Sequence, residues 1–182
     1  MRGADKLAMH VAGAPLLRLV AERALAASSH VAVSLATVDT ARRSLLCGLD
    51  VELLPVPEAS EGMAASLRAG ALWAENLGAS ALMIALPDMP EITSSDMRAL
   101  IDAQAARPDQ PLRASTQEGA PGHPVILPRR LFGEVRTLRG DSGARALLRA
   151  HPPLLHPLEG ARAITDLDTP EDWAAWRRKG EV

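Results

Sequence analysis

The stretch ASALMIALPDMP, residues 79–90, decides how the chain folds. Its first eight residues are almost all apolar, which is typical of a strand buried on both faces of a parallel sheet. Pro87 and Pro90 fix their own φ and favour extended backbone at the residues before them. We therefore expect Asp88 on a stiff loop directly after the strand, at the end where open α/β sheets bind ligands.

Helical patterns alternate with short apolar runs on both sides of this strand, as in the βαβ units of a parallel sheet. The predicted helices span residues 14–27, 39–46, 62–76, 94–106, 129–138, 142–150 and 170–178. The predicted strands span residues 30–36, 51–56, 79–86, 112–115, 123–127 and 154–158. The pattern predicts an α/β fold with a mostly parallel sheet. No long linker interrupts it, so we expect residues 1–182 to form one domain.

Composition argues against several classes of protein. The 182 residues are 47% hydrophobic and 23% charged, with a formal charge of -2, which describes a globular domain with a sizeable core. The longest apolar run is half the length of a bilayer-spanning helix of about 20 residues. Basic residues are scattered, Tyr is absent and Phe132 is the one Phe, so binding of nucleic acid has little support. The one cysteine, Cys47, lies in an apolar run, which predicts a small buried hydrophobe in a reducing, cytoplasmic setting.

Two charged residues are candidates for chemistry on their pattern alone. Asp88 is placed for a metal ion. Its alternative is a helix N-cap, but Thr93 followed by Asp96 already resembles a capping box for the next helix. Lys6 stands out because the chain has two lysines beside eighteen arginines. A compact ammonium suits phosphate oxygens, and the alternative is a solvated lysine near the terminus.

A series of motifs covers nearly the whole chain. They are RGADKL at residues 2–7, GAPLL at 13–17, GMAASLRAG at 62–70, LPDMP at 86–90, GHPVILPRRLF at 122–132, GDSGARALL at 140–148 and DLDTPEDW at 166–173. Their order and spacing resemble those of the nucleotidyltransferases of the molybdopterin-guanine-dinucleotide type, and most closely the molybdenum cofactor cytidylyltransferase branch.

The resemblance implies a three-layer α/β/α, Rossmann-like fold. It also implies transfer of CMP or GMP, from CTP or GTP, to molybdopterin with release of pyrophosphate. One anion attacks another in such a reaction, so positioning and cations supply most of the catalysis. Magnesium is the implied metal, and a molybdoenzyme or its maturation chaperone is an implied partner.

The resemblance assigns the reacting centre to three residues. Asp88 matches the aspartate of the family's GD-x-P motif, the expected magnesium ligand, with Pro87 in place of the usual glycine. Lys6 matches the lysine of a DK pair and would neutralise charge on the triphosphate, while Asp5 would orient its loop. Asp168 would be a second carboxylate for the metal, although its position just before a predicted helix also suits an N-cap.

The resemblance also assigns two binding regions. The predicted nucleotide-binding residues are Gly62, Ser66 and Arg68, beside Lys6, and the predicted substrate-binding residues are His123, Asp141 and Arg145. A glycine and small residues at the start of a helix let backbone N–H groups approach an anion. The alternatives are an ordinary packed helix for the first group, a strand cap for His123 and a helix N-cap for Asp141.

The chain departs from the family at its first residues. Family members open with a strand and a LAAGxSxRMG loop whose backbone N–H groups wrap the triphosphate, and this sequence begins where that loop ends. We therefore expect the sheet to lack its first, central strand. We also expect this chain to be nearly inactive, to bind nucleotide weakly, and to be poorly stable or associated through exposed strand edges.

Two other functions stay open at this point. One is nucleotidyl transfer to a sugar phosphate or another small phosphate by the same fold. The other is a non-catalytic protein that binds or delivers the cofactor.

Overall fold

Strands and helices alternate over the described residues, which are 5–140 and 143–179 of the computed structural model. The strands are β1 (His10–Val11), β2 (Ala14–Pro15), β3 (Ala32–Ala36), β4 (Glu52–Val56), β5 (Ala81–Ile84), β6 (Leu112–Ser115), β7 (Pro121–Pro128) and β8 (Leu154–Pro157). The α-helices are α1 (Leu16–Ala27), α2 (Thr40–Leu45), α3 (Met63–Asn76), α4 (Ser94–Ala105), α5 (Phe132–Val135), α6 (Gly143–Ala150) and α7 (Pro170–Lys179). None of these helices has the length and hydropathy needed to cross a bilayer.

The strands that form the body of the fold belong to two sheets. β3 and β4 pair in parallel, and a four-stranded sheet has the order β5-β7-β6-β8. β6 and β8 are parallel, whereas β7 is antiparallel to both β5 and β6. The connection from β6 to β7 is too short for the crossover that a parallel neighbour requires. The α/β class is confirmed, and β7 is the exception to its parallel order.

Helices cover both faces of the four-stranded sheet. On one face, Leu112 and Ala114 of β6 share a hydrophobic core with α1, α4 and α7. On the other face, Val125 and Leu127 of β7 share a second core with α3, α5 and α6. Successive residues of a strand point to opposite faces, so the two cores follow from the alternation of each strand. The three-layer α/β/α arrangement is confirmed.

A slot separates the two sheets. β3 pairs with β4 on one edge, and β5 pairs with β7 on one edge. Their other edges border a cavity of about 830 Å³, which residues 30–35 and 79–87 line together with side chains of α1, α3 and α4. The cavity therefore offers unpaired strand edges at its sides and mostly apolar helix faces above and below, which are the surroundings of a central strand.

The slot explains why β5 is less buried than its sequence predicts. Within this strand Leu82 is buried, while Ala81, Met83 and Ile84 are half-buried. The prediction that residues 79–86 are covered on both faces is therefore corrected, because no described residue fills the space beside the free edge of β5. The same space agrees with the expectation that the sheet lacks a central strand.

Two local predictions are corrected as well. Cys47 is exposed, because it lies in the turn after α2, where Gly48 reverses the chain with a φ of +80°. The predicted helix over 129–138 is a 3₁₀ turn, Arg129–Leu131, followed by the single turn of α5. One turn is enough to bring the apolar side chains of this segment into the second core.

We predict that a strand supplied to the slot stabilises the fold. The change is an N-terminal extension of the LAAGxSxR type, whose backbone would pair with the free edges of β3 and β5. A buried polar group that gains a partner contributes about 1–3 kcal/mol, and 1 kcal/mol corresponds to about 2–4 °C in melting temperature at this chain length. We expect thermal melting at least about 5 °C above that of the unextended chain.

The control is an extension of equal length with proline at alternate positions, since proline cannot donate to a strand ladder. Equal melting temperatures for the two extended chains would contradict the interpretation of the slot as a strand position.

Candidate functional site

The loop that follows β5 is held from both sides. Met89 and Ile92 are each 3% exposed and anchor the loop in the first core. Arg23 of α1 donates through Nη1 to the carbonyl oxygens of Pro90 at 2.6 Å and Ile92 at 2.8 Å. The stiffness expected from the prolines is therefore reinforced by packing and hydrogen bonds, and Asp88 projects from a fixed backbone.

A second loop, between β8 and α7, lies against the first. The N–H of Leu167 donates to the carbonyl oxygen of Asp88 at 3.0 Å, and Leu167 itself is almost fully buried. The indole N–H of Trp176 in α7 donates to the Glu91 carboxylate at 3.0 Å. These contacts bring Asp168 next to Asp88, although the two residues are far apart in the sequence.

Threonines, not the two aspartates, cap the helices after these loops. Thr93 caps α4 in a reciprocal box with Asp96, as predicted. At the start of α7, the N–H of Asp172 donates to Thr169 Oγ1 at 3.1 Å and the N–H of Thr169 donates to Asp172 Oδ2 at 2.8 Å. The alternative that Asp168 is the N-cap is thereby corrected, and its carboxylate is available for another partner.

The Lys6 ammonium joins the two carboxylates. Its Nζ donates to Asp88 Oδ2 at 2.7 Å and to Asp168 Oδ1. Burial lowers the pKa of Lys6, but the hydrogen bonds to Asp168 and Asp88 outweigh burial and raise this pKa above its usual value. The side chains of Lys6 and Asp88 are 28% and 18% exposed, so water screens their attraction only in part. The structure thus brings together the three residues predicted for the reacting centre.

Asp5 holds the turn that carries Lys6. Its carboxylate accepts from the N–H of Leu7 at 3.1 Å and caps the 3₁₀ turn Lys6–Ala8. Arg42 of α2 donates Nε and Nη2 to the same carboxylate at 2.9 and 3.1 Å. The hydrogen bond from Arg42 holds the pKa of Asp5 below its usual value. Asp5 therefore orients the loop of Lys6, in agreement with the prediction.

The donor set fits a hard divalent cation that is bound together with substrate phosphates. Asp88 Oδ1 is buried without a hydrogen-bond partner in the described part of the chain, and such an oxygen calls for a proton or a cation. Asp168 adds a carboxylate that is 60% exposed. Within residues 5–140 and 143–179, no group of three or more His, Cys, Asp or Glu side chains forms a metal site, so phosphates would have to complete the coordination.

His123 lies beside this cluster on β7. Gly122 packs against the next segment so closely that a Cβ would lie 1.7 Å from the Ala163 carbonyl oxygen, and the N–H of His123 donates to that oxygen at 2.8 Å. Burial and the positive charge of Arg113 lower the pKa of His123, while the Asp88 carboxylate acts in the opposite direction. Burial therefore favours the uncharged form of the imidazole.

The predicted nucleotide-binding residues of α3 lie at the slot or beside it. Gly62 precedes α3 with a φ of +87°, a conformation that favours glycine, and it lines the slot together with Ser66. Arg68 donates to the carboxylates of Glu61 at 2.9 Å and Glu58 at 3.3 Å. These two carboxylates already balance the charge of Arg68, and its contact with nucleotide stays a prediction.

The predicted substrate-binding residues are only partly placed. Asp141 lies outside the described residues, and Arg145 of α6 lines a separate pocket of about 370 Å³. Sequence reasoning missed Asp166, whose pKa is raised by burial and by the negative charge of Asp168. Asp166 is the first residue of the DLDTPEDW motif, and this position could have identified it as a candidate. Sequence reasoning also missed Arg113, which no motif contains.

The sequence of this chain is similar to those of known proteins. Residues 1–154 match the family described as MobA-like NTP transferase domain. The purine catabolism protein PucB of Bacillus subtilis is 30% identical over 124 residues, which are 66% of this chain and 58% of PucB. The match therefore spans little more than half the length of that relative.

Solved structures share the fold. Rv0371c from Mycobacterium tuberculosis superimposes with a TM-score of 0.82 at 24% identity, covering 97% of this chain and 90% of its own. A complex of Rv0371c with manganese gives a TM-score of 0.78 at 25% identity, covering 93% of this chain and 89% of its own.

We predict that Asp88→Asn weakens binding of a divalent cation. A neutral amide cannot replace an anionic oxygen ligand, so we expect affinity for Mn²⁺ in the presence of CTP to fall at least about tenfold, the loss typical of one charged contact. The measurement is titration of the chain while the electron paramagnetic resonance signal of free Mn²⁺ is recorded. Asp102→Asn, on the exposed side of α4, is the matched control. Affinity of Asp88→Asn equal to that of the control would remove Asp88 from the metal site.

Proposed function

The chain belongs to the MobA-like NTP transferase domain family, and we propose that it transfers CMP from CTP to the phosphate of molybdopterin, with release of pyrophosphate. The main support for this proposal is the cluster of Lys6, Asp88 and Asp168, in which Lys6 and Asp168 lie against the loop that follows β5. The cluster sets an ammonium between two carboxylates at the edge where α/β sheets bind ligands. GMP transfer from GTP is the same chemistry with another base, and the assay below distinguishes them.

The proposed reaction joins two anions. An oxygen of the acceptor phosphate forms a bond to the α-phosphorus of the triphosphate, and the bond from that phosphorus to the bridging oxygen of pyrophosphate breaks. Pyrophosphate leaves with the electron pair. When bound, a divalent cation, magnesium in this proposal, offsets the negative charge on the triphosphate and on the leaving group.

Each residue of the cluster has a separate part in this reaction. Lys6 stays protonated at neutral pH because its pKa is raised, so its ammonium is available to phosphate oxygens as a point charge. Asp88 and Asp168 would hold the cation, and the buried Oδ1 of Asp88 has no other partner in the described part of the chain. The imidazole of His123 would orient the acceptor through hydrogen bonds.

The relatives support the transferase class more strongly than a particular acceptor. PucB is named for purine catabolism and not for molybdopterin, so a second candidate stays open, which is nucleotidyl transfer to another small phosphate such as a sugar phosphate. The manganese complex of Rv0371c supports a divalent cation. A delivery role toward a molybdoenzyme or its maturation chaperone, and a cytoplasmic location, stay predictions from the sequence.

Pyrophosphate release tests the proposal. The chain and its extended form are incubated with magnesium, molybdopterin and each of CTP, GTP and ATP. We expect the extended form to release pyrophosphate with CTP, and the unextended chain to release far less because the slot beside the site lacks its strand. Release with a sugar phosphate in place of molybdopterin would favour the second candidate. Binding of molybdopterin without release in either form would overturn the proposal.

We also predict that Lys6→Gln lowers the rate of the active form by at least about a hundredfold, as removal of one preorganised electrostatic contact typically does. The chain offers one matched control, Lys179→Gln, because these are its two lysines. Equal rates for the two variants would contradict a role for Lys6 at the triphosphate.

A further inference from the structure

A pocket beside α6 gathers three arginines. Its volume is about 370 Å³, and Arg113 of β6, Arg145 and Arg149 line it together with small and apolar residues of the neighbouring strands and turns. Arg145 and Arg149 are four residues apart, so they share one face of the helix. No acidic side chain of the described residues lines this pocket.

The three guanidinium groups have no carboxylate partner among the described residues. Arg113 donates Nε to the carbonyl oxygen of Gly122 at 2.7 Å and Nη2 to that of Pro121 at 3.5 Å, and both acceptors are neutral. Five other arginines of the described chain pair with a carboxylate at 3.1 Å or less, namely Arg18, Arg42, Arg68, Arg136 and Arg162. What distinguishes Arg113, Arg145 and Arg149 is that three arginines without a carboxylate partner within residues 5–140 and 143–179 line one pocket. Three like charges that share a concave space repel one another unless an anion enters it.

This pocket adjoins the candidate site through His123. The positive charge of Arg113 and the negative charge of Asp88 both act on the His123 imidazole, so His123 is close to both. Gly122, whose carbonyl oxygen accepts from Arg113, directly precedes His123. None of the residues that line the pocket lines the slot beside Lys6. The pocket and the slot are therefore separate cavities.

We propose that Arg113, Arg145 and Arg149 bind an oxyanionic group of the acceptor. This inference rests on the proposed function, because it takes the second substrate to sit beside His123. The acceptor class is then a phosphate compound that carries a second negative group, a carboxylate or a phosphate. Guanidinium forks bind either group through paired hydrogen bonds, and three of them make this pocket basic.

The first test uses inorganic phosphate and needs no turnover. Phosphate is titrated into the full chain at low ionic strength while backbone amide signals are followed by nuclear magnetic resonance. We expect the amides of Gly119 and Leu155 to shift, and Arg149→Ala to weaken phosphate affinity about tenfold, as loss of one charged hydrogen-bond donor does. Arg107→Ala is the matched control, because Arg107 is exposed and lies outside the pocket.

The inference would be overturned if Arg149→Ala and Arg113→Ala both bound phosphate as tightly as the control. It would also be overturned if the amide shifts were spread over other basic surfaces, since phosphate would then be an adventitious ion only. Arg149→Lys separates charge from folding, since a folded variant with an ammonium should keep part of the affinity.

The second test separates this inference from the proposed function. In the form that releases pyrophosphate, Arg149→Ala should raise KM for the acceptor about tenfold and leave KM for CTP unchanged. An unchanged KM for the acceptor would overturn the inference while the proposed function stands. Phosphate binding that depends on Arg149, in an extended form that releases no pyrophosphate with any acceptor tested, would keep the anion pocket and remove the proposed function.

Discussion

The candidate site depends on the hydrogen bonds that the Lys6 ammonium donates to the carboxylates of Asp88 and Asp168. Asp88 and Asp168 come from two loops in different parts of the chain, and two carboxylates at this distance would repel each other without a cation between them. Because the pKa of Lys6 is raised in the folded chain, the stability that this cluster contributes is present at neutral pH. The part of this stability that depends on the Lys6 proton is lost as the pH rises through the folded pKa of Lys6. Substrate phosphates can therefore enter a site in which the Lys6 ammonium is already in place.

The slot and the site are physically connected. Leu7, next to Lys6, lines the slot, and so does Arg42, which holds the carboxylate of Asp5. Residues 85–87, which lead to Asp88, line it as well. A strand in the slot would therefore press on the same segments that position the ammonium and one of its two carboxylate partners, Asp88. Because of this connection, we expect the same N-terminal extension to raise both the thermal stability of the fold and the proposed activity.

Much of the site could be predicted from the sequence because its determinants are local. The prolines around Asp88 predict a stiff loop, and the pair Thr93 and Asp96 predicts the capping box before α4. The box of Thr169 with Asp172 before α7 was not predicted, because Asp168 was considered as the N-cap instead. The meeting of Lys6 with both aspartates was available only through the family resemblance, since no local pattern joins residues so far apart.

The other features depend on pairing between distant segments, which periodicity does not encode. The antiparallel direction of β7 follows from its short return after β6, and the exposure of Cys47 from a glycine turn after α2. The three-arginine pocket forms only when α6 packs beside β6 and β8, which are distant in the sequence, so its residues have no common motif.

The pKa of Lys6 reports on whether its ammonium holds the two carboxylates together. Because Lys6 and Lys179 are the two lysines of the chain, isotope labelling of lysine gives two side-chain signals that can be titrated separately by nuclear magnetic resonance. We predict that Lys6 titrates above the ordinary lysine value of about 10.4. We also predict that Asp88→Asn and Asp168→Asn each lower this pKa while that of Lys179 stays constant. A pKa of Lys6 at or below the ordinary value, unchanged in both variants, would contradict the claim that its ammonium holds the two carboxylates together.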